Sequence, residues 1–181
     1  NGKKVTVIKK SSTLQSKDLA AVTTKNLKND ASSNLSTFDK LVLSEYLDLD
    51  EKNFMKPEME SFKAAFKGYH KLKEEGKITK DILTIIDFTK SSTERRMWVI
   101  DMKNQTILHQ TVVSHGRNSG KEYANDFSNT PESFKSSLGF YATAETYFGQ
   151  HGLSLRLDGL EAGINSNARA RDIVIHAADY A

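Results

Sequence analysis

An α+β fold, rich in β structure and preceded by helices, is predicted by three features of the sequence. Between Ser36 and Gly76 the apolar residues recur at three-to-four spacing, as along one face of a helix. From Ile82 onward they fall into short runs rich in Ile and aromatic side chains, and Gly, Asn and Asp separate those runs. The 181 residues suit one domain, since single cores of roughly 100 to 200 residues are the common case. Hydrophobic residues make up 38% of the chain and its mean hydropathy is −0.53, so a core is accompanied by much solvated polar sequence.

That polar share is concentrated at the start. Residues 1–34 are mainly Lys, Ser, Thr, Asn and Asp, with seven lysines against Asp18 and Asp30, and their scattered apolar side chains bury too little to offset the entropy of ordering. A polar basic tail or linker is expected over 1–34 and a folded domain over 35–181. The whole chain carries a net charge of +3, so the body is slightly acidic. A nucleic-acid binder carries its positive charge on the folded surface, so nucleic acid is not an expected partner; a basic linker suits an anionic cell envelope better. No apolar run approaches the roughly 18 residues that span a bilayer. The chain starts at Asn1 rather than Met, so an export signal would have been removed or would lie outside these residues. There is no cysteine, which excludes disulfides, thiolate-bound zinc and a thiol nucleophile within these residues. Oligomeric state is not legible.

The first helix is expected from Ser36 or Thr37, either of which can cap it, with Phe38, Leu41, Val42, Leu43 and Leu47 as its apolar side. A second begins at Pro57. Glu58 and Glu60 favour its positive end, Met59, Phe62, Phe66, Tyr69 and Leu72 form its stripe, and Gly76 ends it. Strands are expected at Ile82–Phe88, Met97–Met102, Thr106–Val113, Gly139–Thr143, Leu153–Leu157 and Ile173–His176, with Asn104 in a turn and a loop near Asn118–Pro131.

Five histidines are the candidates for chemistry. His70 lies among Lys and Glu on a helix and is expected to face solvent; His109 sits within a strand with no companion group. His115 ends a strand and opens Gly116, Arg117, Asn118, Ser119 and Gly120, whose backbone can approach an anion closely or form an ordinary polar loop. His176 ends the apolar strand Ile173, Val174 and Ile175, where a rigid scaffold presents either a general base or a hydrogen-bonded structural imidazole. His115, His151 and His176 with Asp158 or Glu161 lack the spacing of a zinc hydrolase, and Ser119 or Ser136 lacks a serine-hydrolase motif. No metal or cofactor is expected.

Longer strings carry more. Ser133 to Tyr141 reads Ser-Phe-Lys-Ser-Ser-Leu-Gly-Phe-Tyr, Gly149 to Asn165 reads Gly-Gln-His-Gly-Leu-Ser-Leu-Arg-Leu-Asp-Gly-Leu-Glu-Ala-Gly-Ile-Asn, and Arg171 to Ala177 reads Arg-Asp-Ile-Val-Ile-His-Ala. With Ser114 to Gly120 they resemble the YkuD-related murein L,D-transpeptidase catalytic domain family, from the helix near Pro57 to the end. The resemblance implies a β-rich domain of the periplasm or cell envelope. Such an enzyme acylates a cysteine with a peptidoglycan stem peptide, releases D-alanine, and passes the acyl group to an amine or to water. It implies His176 as the base and His115, Gly116, Asn118, Ser119 and Gly120 as shaping the substrate groove. Tyr141 and Arg171 are further substrate-binding candidates, the arginine pairing a stem carboxylate or instead Asp158 or Glu161. The family's Ser/Thr-x-Gly-Cys motif follows its histidine strand and is absent here, so the domain is expected to be C-terminally incomplete and, as given, inactive.

Overall fold

The computed structural model describes residues 5–9 and 35–178. Two helices, α1 (Thr37–Leu47) and α2 (Met59–Glu74), cover one face of a seven-stranded sheet: β1 (Val5–Lys9), β2 (Ile82–Asp87), β3 (Met97–Asp101), β4 (Thr106–Thr111), β5 (Gly139–Gly149), β6 (Gly152–Gly159) and β7 (Val174–His176). The strand order is β4-β3-β2-β1-β5-β6-β7. β1 runs parallel to β2 and antiparallel to β5; the other neighbours are antiparallel.

The helices form for the reasons the sequence suggests. Ser36 caps α1, its hydroxyl accepting from the Asp39 amide, and Asp39 sits in the positive first turn. α2 starts one residue after Glu58, with Pro57 just ahead of it rather than inside, and ends at a Gly76 of positive φ. Its stripe of Phe62, Phe66, Tyr69 and Leu72 packs on Leu83, Ile85, Trp98, Ile100 and Ile107. Burying one such aromatic side chain contributes on the order of 2 to 3 kcal/mol.

Alternate residues of the strands point the other way. Ile8, Ile86, Phe88, Tyr141 and Leu157 make a second, smaller core with Ala124 and Ala168 from the loops. The sheet therefore has apolar residues on both faces, and β2 reads as a nearly continuous apolar run because it is buried on both.

Three expectations need correction. Val5–Lys9, assigned to the tail, is the middle strand of the sheet, paired with Leu83–Asp87 on one side and Gly139–Ala142 on the other. Its alternating Val-Thr-Val-Ile is short and flanked by lysines, and its stabilising partners lie far along the chain. The rest of the expected linker, residues 1–4 and 10–34, lies outside the described residues. β5 runs to Gly149 rather than Thr143 because the register shifts between Thr143 and Thr146, which interrupts the period of two. β4 ends at Thr111, and the chain beyond it enters the site described next.

Candidate active site

The two edge strands of the sheet wall a cavity of about 400 Å³. Thr111–Ser114, continuing from β4, lies on one side and Ile173–Ala178, containing β7, on the other. Ile86, Phe88, Met97 and Leu157 lie between, and Ile8 of β1 joins them. The lining is mostly apolar, as expected of a site that excludes water around a few placed polar groups.

His176 is the ionisable side chain in that lining. Its position follows from β6, since Ser154 stands opposite His176 and Leu155 opposite Ile175 in the ladder. The imidazole Nδ1 lies 2.8 Å from the Ala177 carbonyl oxygen. A carbonyl only accepts, so Nδ1 carries a proton, and the lone pair the ring can offer as a base is on Nε2. The ring also stacks on His151, with centroids 4.3 Å apart and planes 13° from parallel.

His115 is used differently. Its Nδ1 is 2.8 Å from a terminal nitrogen of Arg96 and its Nε2 is 3.2 Å from the Gly120 carbonyl. Arg96 only donates and the carbonyl only accepts, so the ring is neutral with its proton on Nε2. Burial is the main cause that lowers its pKa, the Arg96 charge adds to this, and the Gly120 bond opposes it. Arg96 is itself fully buried; it also donates to the carbonyls of Val113 and Lys90 and lies on the Phe88 ring. This pair pins the end of the β4 wall to the loop that follows.

The remaining loop residues complete the pin. The Gly116 amide donates to the Ser136 hydroxyl, the Ser136 amide donates to the fully buried Ser119 hydroxyl, and the Asn118 side chain donates to the Ser133 carbonyl. Gly120 has φ +146°, and a Cβ there would run into the Tyr123 carbonyl. None of His115, Gly116, Asn118, Ser119 and Gly120 lines the cavity; their neighbours Ser114 and Ser136 do. The structure thus places these five behind the wall.

Arg171 and Tyr141 are likewise directed inward. The two terminal nitrogens of Arg171 donate to the Ser128 and Lys135 carbonyls and to the Ser133 and Ser137 hydroxyls, tying the 128–137 loop to the segment before β7. The Tyr141 hydroxyl donates to the Ser137 carbonyl, and burial pushes its pKa up to about 12. Asp158 accepts from Arg169, and Glu161 accepts from the Phe140 amide, so neither is paired with Arg171. His70 packs edge-on against Phe66 at 4.6 Å, and His109 is exposed on β4.

Sequence reasoning missed Arg96, and it weighed His151 beside His176 only as a member of a zinc set. Arg96 looks like half of a solvated Arg-Arg pair, and its partners are mostly carbonyls, which leave no mark in a sequence. His151 sits in a turn, and only the pairing of β6 with β7 brings it to His176.

The family model for the L,D-transpeptidase catalytic domain matches residues 54–181. No curated protein and no solved structure matches the chain.

Proposed function

The chain belongs to the L,D-transpeptidase catalytic domain family, whose substrate is peptidoglycan, and from that premise we propose that it supplies the general base and one wall of the stem-peptide groove. The single observation that carries this reading is His176, an imidazole of defined tautomer at the end of β7 and in the lining of the apolar cavity.

The nucleophile is a cysteine, which these 181 residues do not contain, so the chemistry belongs to the intact gene product. Nε2 of His176 takes the thiol proton, and the thiolate attacks the carbonyl carbon of the L,D peptide bond. The tetrahedral oxyanion collapses, the carbon–nitrogen bond breaks, and the imidazolium returns its proton to the departing D-alanine amine. An amine of a second stem then attacks the thioester, losing its proton to His176 and restoring the thiol. Water in place of the amine gives an L,D-carboxypeptidase from the same parts. The apolar lining does not itself stabilise the oxyanion; it strengthens the bond from any backbone amide beside the nucleophile that donates to it.

In this reading His115, Gly116, Asn118, Ser119, Gly120, Tyr141 and Arg171 shape the groove from behind its walls rather than touching the stem. Export to the periplasm or cell envelope follows from the substrate. Among the described residues no helix is long and apolar enough to cross a membrane.

The test uses the intact gene product with tetrapeptide muropeptides, scoring D-alanine release and cross-linked dimer. His176→Ala is expected to lower turnover by about 10²- to 10⁴-fold and to slow acylation by a carbapenem, read as an adduct by mass spectrometry. Turnover at the parent's rate would remove His176 as the base. A second reading, a non-catalytic peptidoglycan-binding module, predicts saturable binding to sacculi and no product from the intact protein.

A further inference from the structure

His151 occupies the turn of the β5–β6 hairpin. Gly149 pairs with Gly152, so Gln150 and His151 are the two turn residues, and such a turn fixes the direction of its side chains through the twist of its strands. The hairpin is held below the turn. Glu145 of β5 bonds Arg169 at 2.7 Å, and Arg156 of β6 lies over the Tyr147 ring at 4.4 Å while pairing with Asp172 at 2.8 Å. Nothing in the apolar core accounts for a histidine here, since the tip is solvated and the neighbouring Phe148 is 86% exposed. The contact that stands out is with His176, at 4.3 Å and 13° from parallel.

We infer that His151 is a positioning residue for His176: its ring, stacked on the candidate base, keeps that imidazole from turning over and so keeps Nε2 directed at the reacting groups. Turning the ring about its Cβ–Cγ bond puts Cδ2 where Nδ1 stood and Cε1 where Nε2 stood, so the Ala177 bond is lost, Nε2 leaves the reacting groups, and the proton is no longer held on Nδ1. Midway through the turn the ring stands on edge to its stacked neighbour, and a 4.3 Å separation leaves no room for that orientation. The Nδ1 bond to Ala177 favours one tautomer but is exposed and open to competition from water. The stack opposes the turn sterically, which a hydrogen bond at one nitrogen does not. The functional consequence rests on reading His176 as the base; the ring restraint itself does not.

The first readout uses no substrate, so it separates failure of this inference from failure of the catalytic reading. Long-range proton–nitrogen correlation on histidine-labelled protein, in mildly alkaline buffer, distinguishes a fixed tautomer, with widely split nitrogen shifts, from an averaged one. Wild type is expected to show one His176 tautomer with its proton on Nδ1. His151→Ala is expected to bring the two nitrogen shifts together, and His151→Phe, which keeps a flat ring, to restore the splitting. An unchanged pattern in His151→Ala, or an averaged one in His151→Phe, would overturn the inference. In the intact gene product His151→Ala is expected to lower kcat by about tenfold or more with KM little changed, and His151→Phe to recover most of the loss. Because His151 is exposed, the melting temperature of each variant should match the parent's; a kcat loss matched by a fall in melting temperature would also count against positioning.

Discussion

The two faces of the sheet use apolar side chains to different ends. On the helical face Phe62, Phe66, Trp98 and Ile100 are buried to 2% exposure or less and close on one another. Across the sheet Ile86, Phe88, Leu157 and Ile175 border an opening of about 400 Å³. Helices seal the first face; the second is bounded by loops that bond to each other and leave a gap between the edge strands. Hydrophobicity therefore stabilises on one side and shapes a site on the other. Buried Arg96, Ser119 and Ser137 brace the loops of the open side, while under the helices Ser61 donates to the buried Asp87.

Substitutions on the two faces should cost different amounts. The largest effect is expected from Phe66→Ala, which empties a fully enclosed site and should lower unfolding free energy by about 3 to 5 kcal/mol in urea titration. A loss near 1 kcal/mol would mean that the helical face is as loosely packed as the other. Arg96→Met comes next, at about 2 kcal/mol, because the carbonyls of Val113 and Lys90 lose their donor inside the protein. It should also release the loop after His115, read as faster amide exchange at Gly116 to Gly120. Ile175→Ala, on the cavity wall and already partly exposed, should cost about 1 kcal/mol. An Ile175 loss equal to that of Phe66 would erase the distinction between the faces.

The smallest effect is a dependence on pH. Burial lowers the His115 pKa in the folded state, so the unfolded chain binds the proton more tightly. The stabilisation is complete above the ordinary value of about 6.5 and is lost as pH falls from there toward the depressed folded value. Solvent reaches part of the ring and screens the effect, which should be on the order of a few tenths of a kcal/mol. Thermal melts on either side of that window should show the loss in wild type and not in His115→Gln. An equal loss in the variant would assign the slope to other groups.

Much of the fold could be read from the sequence because its signals are local. The Ser36 cap, the α2 stripe and the β2, β3, β6 and β7 runs each lie within a dozen residues or so. β1 could not be read, because five residues among lysines acquire meaning only from partners at 82–87 and 139–142. The site divides along the same line. His176 was legible as the end of an apolar strand. The glycine loop was legible as unusual, but its chemistry suits an inward pin as well as an outward anion site, and only the Arg96 and Ser136 contacts distinguish the two. Arg171 is expected from the sequence to pair with a stem carboxylate, Asp158 or Glu161, whereas its terminal nitrogens meet carbonyls and hydroxyls some forty positions upstream.

The placing of β1 also bears on the order in which the molecule can assemble. Val5 pairs with Leu83 and with Ala142, so the middle of the sheet is closed by contacts among the most distant in sequence, and chains dominated by such contacts fold slowly. A growing chain makes this strand early and must hold it unpaired through the synthesis of both partners, during which its open edges are exposed to other strands. The matched family region begins at residue 54, so a polypeptide cut to that boundary would lack the strand that joins the β2 and β5 halves of the sheet.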